Sequence, residues 1–248
     1  MKRYLHALAM AQSMFCAIPS PFRVWDEEAR PKMLLFLPGI GLEIGLLWAV
    51  LGWLCALIQL PALLAGVALC AFPYVVTGFL HLDGFLDVVD AVRSWRDLDR
   101  RREILKDSHV GSFAVVGCVL LLLTGFAACA TGIGDLRILV LIPAATRCCA
   151  AMAVMGLKPM QVSEYAVQHF EKKQILIPAA VLAVLVAAGF LVTGRYGWCP
   201  VAAAAGYGLA LRRGYRSLEG MNGDISGYAL TVGEVCGVVV AACLGGMT

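Results

Sequence analysis

Asp83, Asp87 and Asp90 stand at i, i+4 and i+7 in the run His81-Leu82-Asp83-Gly84-Phe85-Leu86-Asp87-Val88-Val89-Asp90. On a helix this spacing places the three carboxylates on one face, within about 60° of each other. The residues between them are apolar, unlike those of an ordinary solvated charge run. Three acids facing one way repel each other unless something neutralises them. Mg²⁺ suits that role, because it takes hard oxygen ligands and keeps positions open for water and substrate phosphates. The bland alternative is neutralisation by Arg93, Arg96 or Arg100. No cysteine or second histidine accompanies the acids to favour a softer metal.

Two further patches carry polar chemistry. The run from Arg100-Arg101-Arg102 to Lys106-Asp107-Ser108-His109 is either a basic stretch facing anionic lipid or a phosphate-binding element. In the second reading Arg102, Lys106 and Ser108 contact substrate and Asp107 adds an oxygen to a metal shell. The run Asn222-Gly223-Asp224-Ile225-Ser226-Gly227 reads as a turn, with Asp224 as a helix cap or a fourth metal ligand. Glu234 stands seven residues beyond Gly227, about 10 Å up the same helix and inside apolar sequence. Ionisable groups at such depth need a partner or a function. Arg147 is the basic residue available to it, with Glu43 as a rival acid, and a substrate-facing Arg147 is equally compatible.

These patches must be positioned by apolar elements. The 248 residues are 60% hydrophobic and 15% charged, with mean hydropathy +0.81, more apolar than a soluble domain. The apolar residues fall into blocks long enough to cross about 30 Å of hydrocarbon. Seven spans are expected, at 33–58, 61–80, 112–133, 136–157, 174–193, 197–211 and 228–247, making an all-α polytopic membrane bundle that is one domain over 1–248. Seventeen of the 20 Lys and Arg then lie on one side, two lie on the other, and Arg147 is within a span. That asymmetry puts the N-terminus and the polar segments in the cytoplasm. An amphipathic interfacial helix is expected before Pro19 and Pro21. Gly39-Ile40-Gly41 and Gly206-Tyr207-Gly208 are expected to permit close helix approach. Eight of the ten cysteines lie in apolar blocks and read as packing residues. The net charge of +3 and the absence of basic–aromatic interleaving exclude nucleic acid as partner.

The run Thr77-Gly78-Phe79-Leu80-His81-Leu82-Asp83-Gly84-Phe85-Leu86-Asp87-Val88-Val89-Asp90 closely resembles the signature of the cobalamin synthase family, the adenosylcobinamide-GDP ribazoletransferases. Glu103-Ile104-Leu105-Lys106-Asp107-Ser108-His109-Val110-Gly111 and Gly223-Asp224-Ile225-Ser226-Gly227 with Glu234 resemble two further family elements, so the likeness covers essentially the whole chain. Ala91 and Ala114 replace glycines usual in the family, and Thr231 stands where an acidic or amide residue is usual. The resemblance implies transfer of the adenosylcobinamide-phosphoryl group from adenosylcobinamide-GDP to α-ribazole or its 5′-phosphate, releasing GMP. It implies an enzyme of the bacterial or archaeal cytoplasmic (inner) membrane, in contact with lipid and compatible with a homo-oligomer, whose site faces the cytoplasm. Asp83, Asp87, Asp90 and Asp224 are then the expected Mg²⁺ ligands. His81, Asp83, Asp87 and Asp107 are the expected catalytic groups, with His81 either taking the nucleophile's proton or orienting an aspartate. Gly84, Arg102, Lys106, Ser108, Arg147 and Asn222 are expected at the substrate, Gly84 by letting phosphate approach the backbone. A CDP-alcohol phosphotransferase fits less well, because Asp83-Gly84 is followed by Leu86-Asp87. A transporter fits poorly, because the acids gather at one surface.

Overall fold

The computed structural model describes residues 2–20, 22–160, 170 and 172–246; Pro21 and most of the 158–173 segment lie outside them. Ten α-helices follow in order among these residues: α1 (Lys2–Phe15), α2 (Leu37–Leu57), α3 (Ala62–Val76), α4 (Leu80–Arg93), α5 (Leu98–Ile104), α6 (Ser112–Thr131), α7 (Ile138–Gly156), α8 (Leu176–Thr193), α9 (Trp198–Leu218) and α10 (Gly223–Gly245). The expected all-α membrane architecture is present. Five stretches are long and apolar enough to cross a bilayer, or six with a bent pair counted as one span. One of the five, Lys173–Leu218, contains both α8 and α9, separated at Gly194 where φ is +59°. Each of the seven expected spans therefore meets a helix.

The second span departs from expectation. Helix α3 has 15 residues, about 22 Å at helical rise, which is short of the hydrocarbon thickness. It then bends by 90° into α4. Gly78 and Phe79 both take positive φ (+59° and +62°) at the bend. Thr77 Oγ1 donates to the carbonyls of Pro73 (2.8 Å) and Tyr74 (3.2 Å), and the Phe79 N–H also reaches the Tyr74 carbonyl at 2.7 Å, so these carbonyls at the end of α3 are satisfied. The bend brings the acidic helix across the bundle instead of along it.

Helix α7 is the buried centre, with 14 of its 19 residues inside the protein. Helix α2 reaches it closely through Gly41 and Gly45, where a Cβ would lie 2.6 Å from the Pro143 carbonyl and from Val140 Cα respectively. Small residues at four-residue spacing are the usual means of such contact in membranes. Gly206 likewise meets α10 at Cys236, whereas nothing approaches Gly39 or Gly208. Helix α6 is the opposite case: Val115, Val116, Val119, Leu120 and Leu123 are all exposed, as suits a helix facing lipid. Helix α1 forms as expected and buries Ala7, Met10 and Ala11 against the first span. From it Gln12 Nε2 donates to Glu43 at 3.0 Å, giving that acid a polar partner. All ten cysteines are free.

Candidate active site

The first turns of α4 and α10 touch backbone to backbone. A Cβ on Gly84 would stand 2.9 Å from both Cα and the carbonyl oxygen of Asp224, and one on Gly227 would stand 3.2 Å from the same atoms of His81. Gly84 therefore does not open the backbone to a phosphate, as expected from sequence; the neighbouring helix already fills that space. Its consequence is positional, since the contact sets Asp83 and Asp87 of α4 beside Asp224 of α10. The Asp87 carboxyl is half-buried and lies within electrostatic reach of Asp83, Asp224 and Asp90. Neither Asp83 nor Asp87 has an ion-pair partner among the described residues. Gly84→Ala is expected to push α4 off α10 and lower turnover at least tenfold while the helices remain inserted. Parallel turnover and circular-dichroism measurements check this; unchanged turnover would show that the contact does not position the acids.

Asp90 shares the acidic face but has a different employment. Its Oδ1 accepts from the Ala114 N–H at 2.8 Å and its Oδ2 from the Gly111 N–H. Both oxygens thus serve the free amides at the start of α6, a structural employment that the sequence did not announce. Arg102 is also engaged by the fold. Its Nε and Nη2 donate to the Leu218 carbonyl at 3.1 and 3.0 Å, and Arg101 Nη1 reaches Ser217. These guanidinia cap the C-terminus of α9, where unsatisfied carbonyls attract cations. Asp107 is bound to His109 Nδ1 at 2.7 Å and to the His109 N–H at 3.0 Å. Those hydrogen bonds hold its carboxyl below the usual range, and Asp107 is not among the acids that act on Asp87. Lys106 and Ser108 are exposed on the same loop. Asn222, not Asp224, caps α10, its Oδ1 accepting from the Ile225 N–H at 3.0 Å while its Nδ2 donates to Asp224 at 2.6 Å.

A cavity of about 300 Å³ adjoins Asp224. Its walls are apolar, including Phe15, Leu34, Leu37 and Val154, and its polar residues include His81, Arg147, Asn222 and Ser226. Arg147 is buried and paired with Glu234, Nη1 to Oε1 at 2.6 Å, and also donates to the Pro143 carbonyl at 3.2 Å. Between the two acids left open by the sequence, the fold selects Glu234. Arg147 Nε and Nη2 and His81 Nε2 have no hydrogen-bond partner within the described protein, an expensive state for buried polar atoms unless a ligand meets them. Thr231 Oγ1 donates to the His81 carbonyl at 3.1 Å, so the position where an acid or amide was expected instead anchors the histidine's backbone. Sequence reasoning missed the apolar wall. Phe15, Leu34 and Leu37 carry no signal that separates lining a cavity from packing a core.

The model of the cobalamin-5-phosphate synthase family matches residues 7–242. The chain belongs to that family. An adenosylcobinamide-GDP ribazoletransferase of Clostridium perfringens (strain 13 / Type A) is 35% identical over 247 residues, covering 97% of this chain and 98% of the relative. One from Clostridium botulinum (strain Alaska E43 / Type E3) is 30% identical over 256 residues, covering 98% and 99%. One from Syntrophobacter fumaroxidans is 32% identical over 229 residues, covering 90% and 91%. No solved structure matches.

In this cobalamin-5-phosphate synthase family member, no three His, Cys, Asp or Glu side chains among the described residues are drawn close enough together to hold a metal. Asp87 is within electrostatic reach of Asp83 and Asp224, and Asp83 and Asp87 have no cation partner among the described residues. Oxygen donors of this kind are the type a hard divalent ion takes.

Proposed function

We propose that this chain transfers the adenosylcobinamide-phosphoryl group from adenosylcobinamide-GDP to α-ribazole or its 5′-phosphate, with release of GMP. Membership of the family and relatives of that printed name at 30–35% identity support the reaction. The observation that supports the site assignment is a cavity lined by Asp224, Arg147 and His81, with Asp87 within electrostatic reach of Asp224 and Asp83. A ribose hydroxyl of the acceptor attacks the phosphorus attached to cobinamide. The new P–O bond forms as the anhydride bond to GMP breaks, and the hydroxyl proton leaves to a base. Reactions of this type depend on alignment and charge neutralisation more than on covalent help.

Asp83, Asp87 and Asp224 are the residues that would hold Mg²⁺, which when bound would offset the diphosphate charge. Asp90 is assigned instead to holding the start of α6, whose amides it accepts from. His81 Nε2, unpartnered at the cavity, is placed to take the hydroxyl proton in the tautomer that carries hydrogen on Nδ1. Arg147 offers Nε and Nη2 to oxygen atoms of the acceptor while Glu234 balances its charge. The apolar wall suits the flat benzimidazole of α-ribazole. The deciding experiment supplies purified protein with adenosylcobinamide-GDP, α-ribazole and Mg²⁺ and measures GMP, with and without chelator. No GMP in the complete mixture would overturn the activity; release indifferent to chelator would overturn the metal.

The charge asymmetry of the loops favours a cytoplasmic membrane with this site on the cytoplasmic face. A cysteine introduced at Lys106 is then expected to resist an impermeant thiol reagent added outside intact cells, and one at Arg195 to react. The reverse pattern would invert the orientation.

A further inference from the structure

Further along α4 a second concavity, of about 540 Å³, opens between α4, α6, α9 and α10. Its lining along α6 is Phe113, Val116, Gly117, Leu120, Leu121 and Thr124, a single stripe at helical spacing. From Phe113 to Thr124 is eleven residues, about 16 Å of helix. That is close to half of the roughly 30 Å hydrocarbon thickness, the depth of one leaflet. The groove is apolar along this length, and Phe113, Val116 and Leu120 stay exposed on the lipid-facing side of α6.

Its polar end is different. Arg93, at the end of α4, and Arg213, in the last turns of α9, both line it, and both act electrostatically on Tyr228 of α10. Neither arginine forms an ion pair or hydrogen bond among the described residues. Arg101 and Arg102, by contrast, are spent on capping α9. Trp95, 83% exposed at the same mouth, has the residue type favoured at the boundary between headgroups and hydrocarbon.

We propose that this groove is a binding site for one anionic phospholipid, with an acyl chain along α6 and the headgroup phosphate between Arg93 and Arg213. The match of apolar length to one leaflet, with positive charge confined to the polar end, selects that occupant. The diphosphate substrate is drawn elsewhere, because Asp83, Asp87 and Asp224 lie at the α4–α10 contact and not in this groove.

Native mass spectrometry of the full chain, purified in detergent and titrated with phosphatidylglycerol or phosphatidylcholine, tests this. The unaltered protein is expected to retain one phosphatidylglycerol in preference to phosphatidylcholine. Arg93→Gln and Arg213→Gln each weaken that retention about fivefold, and the pair about thirtyfold. Leu120→Trp, which fills the apolar groove and leaves both arginines, is expected to lose both lipids. Circular-dichroism melting of every variant establishes that the bundle is intact. Equal retention of the two lipids, undiminished phosphatidylglycerol binding in the double variant, or a dimer whose formation Leu120→Trp abolishes while lipid is absent would each overturn the proposal.

Discussion

Asp83→Asn and Asp87→Asn are expected to reduce GMP release from adenosylcobinamide-GDP by about 10³-fold or more, while the protein inserts and melts as before. The acids are set by a backbone contact, Gly84 against Asp224, and not by ion pairs of their own, so amide replacements of the same shape disturb little structure. What they remove is charge at the place where the diphosphate needs neutralising. The neighbouring acids supply the contrast. Asp90→Asn leaves one acceptor oxygen for the two N–H groups at the start of α6, so its effect is expected mainly in the melting temperature. Asp107→Asn, whose carboxyl serves His109 on an exposed loop, is expected to leave turnover within a few-fold of the unaltered protein. Turnover and melting measured on all four separate these roles. Full activity in both purified Asp83 and Asp87 variants would remove the carboxylate site altogether.

The second large effect is expected at the buried pair. Arg147→Met strands Glu234 without its cation, and Glu234→Gln strands Arg147, in surroundings where both side chains are almost fully enclosed. Breaking one side of such a pair costs about 3–5 kcal/mol, enough to unfold much of a marginal bundle. The double replacement removes both charges and is expected to recover most of the melting temperature. It is not expected to recover GMP release, because the free Nε and Nη2 donors at the cavity are gone. A double variant that is both stable and fully active would reduce Arg147 to a structural counter-ion and take it out of the acceptor's contacts.

Much of this arrangement was legible without coordinates, because the signals are local. Apolar runs located a helix in each of the seven expected stretches, of which five, or six with the bent pair, are long and apolar enough to cross a bilayer. The Asp83 and Asp87 pair, one turn apart, had to share a face, and the turn before α10 announced a helix start. The family signature ran through the same residues. Reading was incomplete where a residue's contacts depend on what arrives from elsewhere in the chain. Asp90 lies on the same face as Asp83, yet the α6 amides meet it first. Arg102 looks like a phosphate ligand until the carbonyl end of α9 lies against it. Gly84 looks open until Asp224 of α10 packs on it.

The sequence by itself determined that this is a helical membrane bundle of the cobalamin-5-phosphate synthase family and which acids share a face. Periodicity reports where a side chain points from its own helix, and composition reports what solvent that helix prefers. Only the tertiary structure decided that Glu234 and not Glu43 holds Arg147, that α3 breaks to lay α4 across the bundle, and which carboxylates remain unspent. Those outcomes depend on which backbone amides, carbonyls and charges the other helices bring within about 3 Å, and no spacing along one segment contains that information.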